Sequence, residues 1–303
     1  MLKARLAIAV FTLLLAAPAV AGDWKDSYKQ VKLGVTSAEN EKDRMARVEP
    51  LRKYLEQELG VPVEIFTAGS YDGVIQALAS GQIEVASLGS AAYAAAYTES
   101  NGNVVPLVTT QEQDGSTGYY SVVVVRCDSG YKSLADLKGK VLAFADPDST
   151  SGYMVPYFNM VQQGFDPKTT FKDIPFSGSH EAGVIGVVNK QFDAAATYIN
   201  NETNGIPQRM LSKGMIKAGE ACWIWQSPEI TNGPVTARAD LPKDLMAALK
   251  AAYLAMPTKA PDVFKTVMGG PTATQKAYIE VDHPRYQWII DMRAWQKKQR
   301  RAG

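Results

Sequence analysis

The chain has 303 residues, 46% of them apolar and 21% charged, which is the make-up of a folded protein long enough for two lobes. Its 32 basic and 31 acidic side chains leave a net charge of +1, which excludes the broad basic footprint of a nucleic-acid binder. Two cysteines and two histidines exclude a cysteine-rich zinc site and a disulfide-dense scaffold.

Residues 1–21 join a basic start, Lys3 and Arg5, to an apolar run ending near Leu15 and then to Ala19-Val20-Ala21. That is the pattern of a secretory leader cleaved after Ala21, and it predicts a periplasmic, soluble mature chain. No cysteine follows the run, so no lipid anchor is expected there.

Strand and helix signals then alternate. Val31, Leu33 and Val35 alternate onto one face of a strand. Pro50 is expected to open a helix whose apolar face is Leu51, Tyr54, Leu55 and Leu59, with Gly60 ending it. A strand at 63–66, a helix through Tyr71, Val74, Ile75 and Leu78, and a strand at 83–87 follow. This order predicts an α/β lobe on a largely parallel sheet. A second alternating set runs from Tyr119 to about Trp225, and the tail beyond Leu241 is expected to be helical. Leu245, Ala248, Leu249 and Tyr253 share one face of that tail, and Trp288, Ile289, Met292 and Trp295 another. The expected division is a first lobe at 22–116, a second at 117–227 and a return to the first at 228–303. Hinge crossings are expected near 109–118 and 226–235.

A weak repeat supports two similar lobes. Residues 74–86 resemble 183–195 at an offset of 109, and at that offset Tyr71 matches His180. Each lobe therefore starts its helix with a polar ring.

The chemistry concentrates in Asp146-Pro147-Asp148-Ser149-Thr150-Ser151-Gly152. Three hydroxyls fall where a strand gives way to a helix, and unpaired amides with a positive dipole end suit an anion there. Capping needs only one hydroxyl. No Gly-Lys-Ser/Thr follows, so this is not a nucleotide-hydrolysing loop. Ser177-Gly178-Ser179-His180-Glu181 repeats the arrangement in miniature. No nucleophile elbow or metal constellation can be assembled, so binding without catalysis and without a cofactor is expected. Cys127 and Cys222 lie on strands expected to run antiparallel, with the cysteines at the end far from the hinge. In an oxidising compartment a Cys127–Cys222 bridge is expected, the alternative being two buried thiols.

These motifs, with Ser116-Thr117-Gly118-Tyr119 and Ser70-Tyr71-Asp72-Gly73-Val74-Ile75, resemble the periplasmic phosphonate-binding proteins of ABC transporters from about Val31 to about Arg238. The resemblance implies a two-lobe, type II periplasmic-binding-protein architecture closing over its ligand. It implies that Ser149, Thr150, Ser151 and His180 hold the phosphonate from the second lobe, with Tyr71 from the first and Tyr119 from the hinge. The implied partners are a phosphonate and a permease of the inner membrane, with the protein a monomer. Members that bind 2-aminoethylphosphonate hold its ammonium with two acids. Glu202, in Tyr198-Ile199-Asn200-Asn201-Glu202-Thr203-Asn204, is the candidate for one, and Gly233 stands where the other is expected. 2-Aminoethylphosphonate is thus the favoured ligand, with phosphite and methylphosphonate as alternatives. A sensor subunit docking on a histidine kinase is the alternative role.

Overall fold

A computed structural model of the protein describes residues 23–302; the expected leader lies outside the described residues. In chain order the strands are β1 (Val31–Val35), β2 (Val63–Thr67), β3 (Val85–Ser87), β4 (Val104–Glu112), β5 (Gly118–Arg126) and β6 (Leu142–Ala143). They continue with β7 (Ala194–Asn201), β8 (Asn204–Gly205), β9 (Ala221–Gln226), β10 (Ile230–Thr231), β11 (Val235–Arg238) and β12 (Gln275–Glu280). One sheet has the order β12-β4-β11-β3-β1-β2 and the other β10-β5-β7-β6, with β8 added to β7 and β9 to β5. This is the two-lobe α/β architecture, one sheet to each lobe.

The first sheet is mixed, not largely parallel. β1 pairs in parallel with β2 and β3, but β11 joins β3 and β4 antiparallel, and β12 joins β4 antiparallel. Strand β12 was not foreseen in the helical tail. Only Gln275 and Tyr278 are buried along it, and Tyr278 lies edge-on to Tyr253 and Phe264, so the strand has no apolar run.

Pro50 does not open its helix. The helix is Glu41–Leu59, and Asn40 caps it by accepting the Asp43 amide at 3.0 Å. A proline inside a helix costs about 3 kcal/mol. Burying each large apolar side chain returns roughly 1.5–3 kcal/mol, so the buried face of Val48, Leu51, Tyr54, Leu55 and Leu59 outweighs it. Gly60, at φ +67°, ends the helix as expected.

The repeat is visible in the backbone. Helices Tyr71–Ala79 and His180–Val188 both have nine residues, and Ser70 and Ser179 cap them by accepting the amides of Gly73 and Ala182. Each unit closes through the same bond, Gln82 N to Ala77 O and Gln191 N to Gly186 O, both at 2.8 Å. Gly81 and Lys190 hold the equivalent left-handed turn position, at φ +79° and +62°.

The chain leaves the first sheet at Glu112 and enters the second at Gly118. It returns through β10, whose Ile230 and Thr231 lie opposite Tyr119 and Gly118, and re-enters the first sheet at Val235. The crossings are bonded to each other, since Asn232 N donates to Thr117 O at 2.9 Å and Asn232 Nδ2 to Thr110 O at 3.1 Å. The C-terminal helix Gln287–Ala302 touches both lobes. Ile289 is buried in the first-lobe core, while the Trp295 ring meets Phe158 edge-on and Arg293 pairs with Asp148 at 2.7 Å.

Strands β5 and β9 are antiparallel, with Val125 opposite Cys222, and Cys127 and Cys222 are bonded across a Cα separation of 5.0 Å. Closing a loop of 95 residues restricts the unfolded chain by about 4.7 kcal/mol on the chain-entropy account.

Candidate functional site

A cleft of about 230 Å³ is lined by residues of both lobes. Tyr71, Tyr119, Ser149, Thr150, Ser151 and His180 all line it, so six of the seven expected site residues converge there. The first-lobe helix Ser90–Glu99 adds a start that sequence reasoning missed, with Gly89 on the cleft wall.

The serine-rich loop is tighter in sequence and wider in winding than an ordinary helix start. Ser149 accepts the Gly152 amide at 3.0 Å, and its own carbonyl accepts the Met154 amide five residues on. The turn Thr150–Met154 is therefore π-helical, a geometry frequent at functional sites. Gly152 makes this packing possible: a Cβ there would stand 2.5 Å from Ala145 Cβ and 2.9 Å from His180 Cε1. Ser121 Oγ steadies the loop by donating to Ser151 O at 2.7 Å.

His180 is buried and edge-on to Tyr198, with Nε2 at 3.2 Å from Ser149 Oγ and Nδ1 at 3.1 Å from Thr197 Oγ1. Burial first, and the Arg209 charge second, push its pKa down to about 3. The ring is therefore neutral at ordinary pH. Protonation favours the unfolded chain, so the His180 contribution to stability is complete above the ordinary histidine value of 6.5 and is lost as pH falls toward about 3. The slope is at most about 1.4 kcal/mol per pH unit. Melting curves of the wild type should fall between pH 6 and pH 4, and this part of the fall should vanish in His180→Gln.

The tyrosines are neutral donors too. Burial raises Tyr119 to about 12 and pushes Tyr71 up further, with Asp146 adding to the latter. The buried Asp146 accepts the Asp148 amide at 2.8 Å and the Tyr71 amide at 3.3 Å, which joins the loop of one lobe to the helix start of the other.

Other bonds also cross between lobes. Thr150 Oγ1 accepts the Ala91 amide at 2.8 Å, and His180 N donates to Ala38 O at 3.2 Å. Glu181 accepts from Asn40 N at 2.9 Å and Asn40 Nδ2 at 2.7 Å, and Lys213 spans Asp43 at 2.8 Å and Glu181 at 3.3 Å. None of Glu181, Asn40 and Lys213 lines the cleft, so this latch favours closure without touching a ligand. Glu181→Gln should weaken ligand binding by about 3–30-fold through faster release, as expected for one or two lost bonds of about 1 kcal/mol each. Stopped-flow dissociation would read it.

Glu202 is not brought to the cleft. It is exposed at the turn between β7 and β8, where its carbonyl accepts from Gln208 Nε2. Tyr198, Asn200 and Arg209 line the cleft instead, together with Asn232, Met268 and Gln275. Strand alternation turns Asn200 of that segment toward the cleft, while the turn between β7 and β8 carries Glu202 out to solvent. Arg209, on the following helix Ile206–Ser212, carried no sequence signal. Gly233 lines the cleft, and a Cβ there would stand 2.0 Å from Leu88 O. Among the described residues no carboxylate lines the cleft. Glu112 lies buried behind it, its oxygens taken by Asn200 Nδ2 at 3.2 Å, Thr274 Oγ1 at 2.7 Å and Gln275 Nε2 at 2.5 Å.

The family model of the periplasmic phosphonate substrate-binding proteins of ABC transporters matches residues 33–278. The chain belongs to that family. It is 32% identical to the phosphonates-binding periplasmic protein of Escherichia coli over 221 residues, 72% of this chain and 63% of that one. It is 28% identical to a phosphate-import protein of Mycolicibacterium smegmatis, over 74% of this chain and 70% of that one. In structure it resembles a binding protein of an ABC phosphonate transporter from Pseudomonas aeruginosa, with a TM-score of 0.77, 26% identity, and 88% and 86% of the two chains covered. PhnD1 of Prochlorococcus marinus, solved with methylphosphonate, shares the fold at a TM-score of 0.77 and 22% identity, over 89% of this chain and 99% of that one. As a member of this family the chain is a substrate-binding component of transport. Among its described residues no helix is long and apolar enough to cross a membrane.

Proposed function

We propose that the mature protein, cleaved after Ala21, captures a phosphonate between its lobes in the periplasm as a monomer and delivers it to an ABC permease of the inner membrane. The observation that carries this reading is the convergence of Tyr71, Tyr119, Ser149, Thr150, Ser151 and His180 on one cleft. All six are neutral donors, which hold tetrahedral oxygens by direction instead of by net charge. In the tautomer with the proton on Nε2, beside Ser149, Thr197 donates to Nδ1 and His180 can donate to a phosphonate oxygen. Charge-assisted bonds contribute about 1.5–3 kcal/mol each, and a micromolar dissociation constant corresponds to roughly −8 kcal/mol, so several such bonds suffice after ordering costs.

The ligand of this reading lacks an ammonium group. Glu202 is exposed, Gly233 has no room for a side chain, and Glu112 lies behind the wall, so among the described residues no carboxylate lines the cleft to match the amine of 2-aminoethylphosphonate. Isothermal titration calorimetry of ligand-stripped protein tests the reading. Methylphosphonate should bind with micromolar or tighter affinity, and sulfate more weakly. No heat from methylphosphonate, phosphite or phosphate would contradict it.

A further inference from the structure

We propose that the Arg209 end of the cleft receives an anionic group on the ligand's organic end, so that the ligand class is a short phosphonocarboxylate. This rests on the phosphonate reading of the same cleft.

Arg209 Nη1 donates to Tyr198 Oη at 3.0 Å, Nη2 to Met268 O at 2.9 Å and to Asn204 Oδ1 at 3.3 Å, and Nε to Asn204 Oδ1 at 3.4 Å. Every one of these acceptors is a neutral oxygen. The guanidinium is thus held in place by four N–H groups, with one Nη1 N–H left over, and no carboxylate shares the cleft with it among the described residues. A partly buried charge without a counter-ion is unfavourable, and an arriving anion removes that cost. The fork geometry of arginine also suits a carboxylate.

The surroundings keep this charge open to the ligand. Gly269 has its missing side chain where a Cβ would stand 2.5 Å from Arg209 Nε, so the guanidinium fits against the backbone. Among the described residues, Glu112, the acid behind this wall, is bonded to Asn200, Thr274 and Gln275 and makes no direct ion pair with Arg209. Tyr198 separates the two tasks: it meets the His180 ring edge-on at 5.1 Å and bonds Arg209 through its hydroxyl. The phosphonate oxygens are served by the serine-rich loop and the histidine, and the other wall offers Asn200, Gln275 and the cation.

Calorimetry on the ligand-stripped mature protein with methylphosphonate, ethylphosphonate, 2-aminoethylphosphonate, phosphonoacetate and 3-phosphonopropionate decides it. One of the two carboxylate-bearing compounds should bind at least about tenfold tighter than the alkylphosphonates, equivalent to about 1.4 kcal/mol, and the amine should bind weakest. In Arg209→Gln that advantage should shrink to about twofold. Tightest binding of 2-aminoethylphosphonate, or equal binding of methylphosphonate and the carboxylates, would overturn the proposal. So would an equal fractional loss for methylphosphonate and the carboxylates in Arg209→Gln, which would assign Arg209 to the phosphorus end. If that variant does not fold, the order of ligands in the wild type still decides. Silence from all five removes the phosphonate reading, and this proposal with it.

Discussion

The double variant Ser149→Ala with Thr150→Ala should lose about 100-fold or more in affinity for methylphosphonate while remaining folded. Two charge-assisted bonds of about 1.5–3 kcal/mol each go with the hydroxyls, which is a factor of about 10²–10⁴. Part of the loss is indirect. Thr150 Oγ1 also accepts the Ala91 amide across the lobes, so its removal weakens closure as well as contact. Ser149 additionally caps the π-helical turn through the Gly152 amide, and losing that cap costs about 1 kcal/mol of stability. Calorimetry and a melting curve on the same sample separate the two: a melting temperature lowered by a few degrees with binding nearly abolished is the expected pair. Unchanged affinity would mean that the ligand lies elsewhere.

Gly233→Asp should not create an amine site. The substitution supplies the acid that relatives binding 2-aminoethylphosphonate are expected to carry, yet the backbone here leaves it no space. A Cβ would stand 2.0 Å from Leu88 O and 2.7 Å from Gly89 Cα, and these are main-chain atoms that cannot rotate aside. The strand is also tied down at this point, because Leu88 N donates to Pro234 O at 3.1 Å and Thr109 Oγ1 donates to Gly233 O at 2.9 Å. Accommodating the side chain moves the cleft wall and the return crossing together. Affinity for every phosphonate should fall by about 100-fold or more, as for a main-chain displacement at a bound group. An increase in 2-aminoethylphosphonate affinity would show that the wall yields and that the ligand class has been misassigned.

The contrast between Asn200 and Glu202 shows where sequence reasoning ran out. The helix starts were legible because Ser70, Ser149 and Ser179 are caps, and caps declare both the end of an element and the direction of its free amides. Tyr71 and His180 followed from the repeat, since both open a capped nine-residue helix. The disulfide was legible from strand direction together with the expected oxidising compartment. The organic end was not. It is built from the end of β7, a two-residue strand and a short helix, where a slip of one residue exchanges inward and outward side chains. Arg209 enters the cleft from that short helix, and only tertiary packing against Gly269 brings it there. Strand β12 escaped for a different reason: an edge strand that buries only Gln275 and Tyr278 carries no apolar periodicity. Pro50 misled because tertiary burial of the helix face outweighs a local rule that reads proline as a start.

The central claim is that a phosphonate sits between the lobes at the converging helix starts. A crystal structure of the mature protein with methylphosphonate tests it most directly. Phosphonate oxygens within hydrogen-bond distance of the Ser149, Thr150 and Ser151 hydroxyls, His180 Nε2 and the Tyr71 and Tyr119 hydroxyls are the predicted result. Phosphorus density outside this cleft, or density in it with none of these groups in contact, would contradict the account.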